Sequence, residues 1–285
     1  MALGLIAAAQ FVGILLVTGA VVYRGALVSR CGLDRAALHA TAARTGTLGA
    51  VGAVLVLWSV PARAVIQAQG MTFPGEPWLP FVRVVLQDTP LGELLVLQGA
   101  AALLAGIAML VARGDSTLAW SAAGLGAIVL TLLPGLMGHA VSSARPALSV
   151  AAASLHVAAA GIWLGTVVYL WRDARSSFAG RAIRAFHPWA LAAATAVSLS
   201  GAVQVWVLVP SWSALVASRW GAMLAVKLLV LGAILGVGQH HWRRAAALID
   251  AGRHSALRRT LGVEVALALL IMLVTAALTT TPPPE

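Results

Sequence analysis

Charge is scarce in this sequence. Only 10% of the 285 residues are charged and 60% are apolar, and the mean hydropathy is +0.93. So few solvating groups exclude a soluble domain, and the chain reads as an integral membrane protein. Cysteine is all but missing: Cys31 stands alone, which excludes an intrachain disulfide and a thiolate metal cluster. No nucleophile motif, carboxylate pair or phosphate-binding loop supports an ordinary enzyme. The first apolar run lacks a positive segment before it, so it is expected to span the membrane, not to be removed as a signal peptide.

What the chain has is long apolar runs. A helix rising about 1.5 Å per residue needs roughly 20 apolar residues to cross the hydrocarbon core. Eight stretches qualify, near 3–28, 42–61, 91–112, 117–143, 147–171, 187–209, 220–240 and 261–280. The expected fold is all-α and polytopic, with sizeable loops only at 62–90 and 241–260. The first of these contains "GEPWLPFVRVVLQDTP", in which Trp78 and Phe81 are interfacial anchors and Pro80 can open a short helix. An amphipathic cap is expected there, bringing Met71 and Glu76 near the outer end of the bundle.

The net charge of +10 is not gathered into a nucleic-acid-binding face. It sorts by loop. Arg24, Arg30, Arg35 and Arg44 flank the first connection, Arg113 lies in the third, Arg172, Arg175, Arg181 and Arg184 in the fifth, and Arg243, Arg244, Arg253, Arg258 and Arg259 in the seventh. The even loops hold only Arg63, Arg83, Arg145 and Arg219. Positive loops stay cytoplasmic, so both termini are expected outside.

Short motifs recur in order. "GAVVY" at 19–23 returns as "GTVVY" at 165–169, "GAVLVLWSVP" at 52–61 as "GAVQVWVLVP" at 201–210, and "TPLGELLVLQ" at 89–98 as "SRWGAMLAVK" at 218–227. A period of four helices preserves orientation, so a parallel four-plus-four repeat is expected, residues 1–145 and 146–285. The alignment pairs Gln10 with His156 and Gln98 with Lys227, amides facing ionisable groups.

Counting along the spans puts His139, His156, Gln10, Gln98, Lys227 and Gln204 in one polar layer of the outer leaflet. Ionisable groups there cost at least about 2.5–3.5 kcal/mol at the bilayer centre, so they usually line a path or a site. Met137 and Met223 add thioethers at similar depth, and Trp163 lies two turns below His156. Imidazole with thioether suits copper, particularly Cu(I). Lys227 is awkward beside a cation and is read as holding Glu93 or an amide, or as snorkelling.

Three stretches, "GHA" at 138–140, "LHVAAAGIWLGTV" at 155–167 and "WGAMLAVKLLVLGAI" at 220–234, resemble the CopD/PcoD family of bacterial inner-membrane copper proteins. The likeness covers nearly the whole chain and is strongest over 130–235. It implies His139 and His156 as principal copper candidates, with Trp163, Gly165, Gly221 and Lys227 as motif residues. Trp220 stands where the family often has Tyr. No copper-binding β-domain is fused to these spans, so the resemblance implies a separate periplasmic chaperone of the CopC type. Two alternatives stay open. One is a haem b protein with His187 and His240 or His241 as axial ligands. The other is a copper-delivery factor for cuproenzyme assembly that does not transport. Glu264 and Asp173 are candidates for proton coupling, although Glu264 is expected close enough to a helix end to snorkel.

Overall fold

The computed structural model describes residues 2–112 and 116–284; Arg113 of the third loop lies outside them. The described residues are helical, without strands. Eight segments are long and apolar enough to span a membrane. The first is α1 (Ala2–Val22), continued by a π-helical turn at Tyr23–Leu27 and a 3₁₀ turn at Val28–Arg30. Next come α2 (Arg35–Gly70), the short α3 (Leu79–Asp88), α4 (Pro90–Val111) and α5 (Thr117–Leu136). The fifth span is built from α6 (Pro146–Ala160), a π turn at Gly161–Gly165 and α7 (Thr166–Arg172). Then follow α8 (Ala179–Leu208), the short α9 (Trp212–Ala217), α10 (Arg219–Asp250) and α11 (His254–Thr279).

Packing puts α1 at the centre, against α2, α5, the fifth span and α11, and leaves α10 the least buried span. Helices in lipid gain little from apolarity and associate where small residues let backbones approach. Gly13 therefore meets the Gly52 carbonyl, and Gly19 meets the Gly165 backbone so closely that a methyl on either would overlap the other chain. Four residues on, Tyr23 stacks on Tyr169. Contact at both positions of "GAVVY" and "GTVVY" means the first and fifth spans run parallel at the register of the motifs.

A second motif pair forms the same local structure twice. Thr89 caps α4 by accepting from Gly92 N, and Ser218 caps α10 by accepting from Gly221 N. Both glycines abut carbonyls of the preceding short helix, Val85 and Leu86 in one half and Leu215 in the other. The cap expected over 62–90 is α3, with Pro80 in its first turn. It buries Val85 against Ala64, Ala68 and Leu95. Trp78 and Phe73 stay exposed, as interfacial aromatics do. Helices α3 and α9 mark one end of the bundle, called the capped end below; the other is the arginine-rich end.

Several boundaries depart from the sequence reading. Helix α2 passes through Pro61 and continues to Gly70, because one proline removes a single backbone bond that neighbouring helices can tolerate. Helix α5 stops at Leu136, seven residues before the expected 143: two residues after Pro134 it closes with Met137 N donating to Leu133 O, and the chain turns at Gly138. The expected 241–260 loop is mostly helix. Its break is Gly252, whose positive φ of 67° allows Gly252 N to bond Ile249 O and Arg253 N to bond Leu248 O.

Candidate functional site

Two polar clusters lie at the capped end, one around α1, α2 and α4 and the other around α6, α8 and α10. In the first half Gln10 lies eight residues into α1 and Gln98 eight into α4, each about 12 Å along its helix. Gln10 Nε2 donates to Gln98 Oε1 at 3.0 Å, and Gln98 Nε2 donates to Ser59 Oγ at 3.2 Å. Arg63 completes the cluster by donating to Gln10 Oε1 at 2.9 Å and to Met137 Sδ at 3.7 Å. Arg63 escapes the sequence reading because the second span is expected to end at Pro61, which leaves it in a loop; Ser59 lies inside that span and carries no charge to mark it. The guanidinium puts a positive charge on Met137 sulfur, which opposes a metal cation there. Met137 therefore faces the first-half cluster and not His156.

In the second half His156 lies ten residues into α6 and Ser200 eight before the end of α8, about 12–15 Å from the same end. His156 Nδ1 lies 3.2 Å from Ser200 Oγ. The Ser200 hydroxyl donates to the Ala196 carbonyl at 2.5 Å. Its oxygen can therefore accept from His156 Nδ1 in the tautomer that carries the proton there. The ring packs over Gly201. Lys227, eight residues into α10, is half-buried within electrostatic range of His156. His156 and Lys227 are the residues that the sequence motifs align with Gln10 and Gln98.

The remaining candidates spread out. His139 is exposed in the turn after α5, above the level of His156. Met223 Sδ accepts from Thr281 Oγ1 at 3.7 Å and packs with Leu215, Trp220 and Leu278. Gln204 turns back to the Ser200 carbonyl of its own helix. Glu93 is exposed in the first turn of α4. Among the described residues it makes no ion pair with Lys227. Trp163, in the π turn, is 6% exposed and belongs to the central core. Among the described residues no group of three or more His, Cys, Asp or Glu is arranged to hold a metal.

The arginine-rich end corrects the reading of the acidic residues. Glu264 does not snorkel: α11 begins at His254, so Glu264 lies ten residues inside it, 6% exposed, with Oε1 3.0 Å from His241 Nδ1. Asp173 is paired with Arg172 at 2.6 Å and accepts from Tyr23 OH at 2.8 Å. His187 stacks on Trp242, centroids 3.5 Å apart, and His240 is exposed. Cys31 is 2% exposed and its thiol donates to the Leu27 carbonyl at 3.3 Å. Burial pushes that thiol's pKa up, against a smaller lowering by Arg181.

Comparison with known proteins fits this architecture. Residues 180–278, spanning α8 to α11, match the family model for copper resistance protein D. A curated relative, copper transport protein CutJ of Bacillus subtilis strain 168, is 27% identical over 254 residues, covering 85% of this chain and 46% of its own length. The chain thus spans about half the length of that relative. No solved structure matches it significantly. Eight helices long and apolar enough to span a membrane make this a multi-pass membrane protein, and both matches place its similarity among copper resistance and copper transport proteins of the CopD type.

Proposed function

We propose that this protein takes up copper, as Cu(I), at the capped end of the bundle and moves or hands it across the membrane, in copper uptake, homeostasis or resistance. The carrying observation is the Nδ1 contact of His156 with Ser200 inside a membrane-spanning helix. A ring oriented through Nδ1 by a second residue, so that Nε2 can ligate, is how proteins hold a histidine for a soft or borderline metal. His139, exposed in the turn above, is the capture ligand, and Met223 or water is the third donor that a trigonal Cu(I) site would use. A site of so few neutral ligands suits passage better than storage.

Copper in this reading is cargo and not a resident cofactor, and the protein is not an enzyme. Both termini lie outside, so delivery comes from a periplasmic carrier of the CopC type. An active alkaline phosphatase fused to the C-terminus is the expected topological result. The test of the site is Cu(I) titration of the purified chain against a chromophoric chelator. His156→Ala is expected to lose one equivalent while the protein elutes unchanged from a sizing column; His139→Ala is expected to weaken binding without abolishing it. Full stoichiometry and affinity in both variants would return His156 to a helix-packing role.

A further inference from the structure

At the arginine-rich end a cavity of about 140 Å³ opens between the π turn, α8, α10 and α11, walled by Trp163, Phe186, His187, His241, Trp242 and Glu264. His187 lies eight residues into α8, and His241 nine before the end of α10. Both are about 12–14 Å from this end, mirroring the depth of His156 from the other. His241 is 5% exposed. Its Nδ1 is engaged by Glu264, while its Nε2 is buried and has no hydrogen-bond partner. A buried ring nitrogen left unpaired calls for an explanation. A carboxylate on the far nitrogen of such a ring is how metal-binding histidines are oriented and made more basic. A carboxylate at Glu264 would offset a monovalent cation in a cavity walled mainly by apolar side chains.

We infer that His241 Nε2 is the principal ligand of a second, inner metal site, with His187, which lines the same cavity from α8, as the other nitrogen donor. The cargo class follows from the donor set. Two imidazoles, with no group of three or more His, Cys, Asp or Glu in metal-holding arrangement among the described residues, do not make the four-coordinate site that zinc takes. They suit Cu(I), which is content with two or three ligands. Trp163 stands between the two levels, seven residues beyond His156 on the same span and on the wall of this cavity. The inner site rests on the copper reading above and gives it a second station, from which the ion leaves toward the arginine-rich side.

The test uses the full chain in detergent with the His156→Ala background, titrated with Cu(I) against bicinchoninate. One equivalent is expected to remain there and to vanish on adding His241→Phe, which keeps a ring in the cavity. His187→Gln offers a second route if the phenylalanine variant does not fold. Glu264→Gln keeps an acceptor for Nδ1–H but removes the charge, and is expected to weaken this equivalent about 10–100-fold. Retention of the equivalent in both His241→Phe and His187→Gln would overturn the inner site. So would a purified protein with a Soret band that His241→Phe removes, which would assign a porphyrin to the cavity. Failure of the outer reading is seen separately: His156→Ala would then match wild type while His241→Phe still removed one equivalent.

Discussion

Tyr23 and Tyr169 stack with ring centroids 5.5 Å apart and planes inclined by 22°, one helical turn beyond the contact of Gly19 with Gly165. Tyr169 OH donates to the Leu16 carbonyl at 2.8 Å and Tyr23 OH to Asp173, so the seam is hydrogen-bonded as well as close-packed. A methyl at Gly165 would overlap the Leu15 carbonyl. Gly165→Ala is expected to destabilise by about 1–3 kcal/mol, the usual cost of overpacking, measured as a lower melting temperature in detergent. Gly232, with open space around it, is the control. Gly232→Ala is expected to be neutral or slightly stabilising, as alanine is in a helix interior. Equal effects at both sites would mean the seam is not closely packed.

Arg63 ties α1, α2 and the turn after α5 into one hydrogen-bonded unit, and that role is structural. Arg63→Leu leaves the Gln10 acceptor unpaired and is expected to cost about 1–3 kcal/mol, again read from melting. Met137→Leu nearly conserves volume and is expected to cost less than about 1.5 kcal/mol. It should leave bound copper unchanged, because the Met137 sulfur faces a guanidinium. Loss of copper in Met137→Leu would restore that thioether as a ligand.

Cys31 is the native reporter of the arginine-rich end. A raised thiol pKa means less thiolate at any given pH, and the thiolate is the reactive species. Maleimide labelling of folded protein is therefore expected to be slow at pH 7. It should speed up as pH rises past the normal thiol range, and become fast at pH 7 once the chain is unfolded in detergent. Rapid labelling of the folded protein at neutral pH would show that the thiol is not buried. Cys31→Ala is expected to leave copper stoichiometry intact.

How much of this the sequence discloses depends on which physical signal carries it. The eight spans are legible because mean hydropathy over some twenty residues has no soluble counterpart. The Gly19–Gly165 seam is legible because glycine and tyrosine repeat together at one register. What escapes is where spans end. Pro61 and Pro134 look alike in sequence, yet α2 continues past the first for nine residues and α5 ends two residues after the second. The difference lies in tertiary support: α3 and α4 pack against α2 beyond Pro61 through Ala64 and Ala68. Those two boundaries explain why Arg63 is missed and why His139 lies in the turn instead of beside His156. The His241–Glu264 pair is hidden for the same reason, because residues 241–260 carry the polar composition of a loop while forming two helix ends.

Lys227 gives the copper reading its sharpest mutational contrast. It aligns in sequence with Gln98 and lies within range of His156, where its charge opposes a cation on that ring. Lys227→Gln is expected to tighten Cu(I) binding about tenfold, the effect of removing ~1.4 kcal/mol of repulsion. Unchanged or weaker binding would mean that Lys227 does not sense the bound ion.

The central claim is that copper passes through His156. Its most direct measurement is Cu(I) entry into proteoliposomes of defined orientation, read by a chelator trapped inside. Wild-type protein is expected to carry copper from the capped end to the arginine-rich end at a saturable rate, and His156→Ala to fall to the rate of protein-free vesicles while inserting equally well. Wild-type flux persisting in His156→Ala would contradict the account.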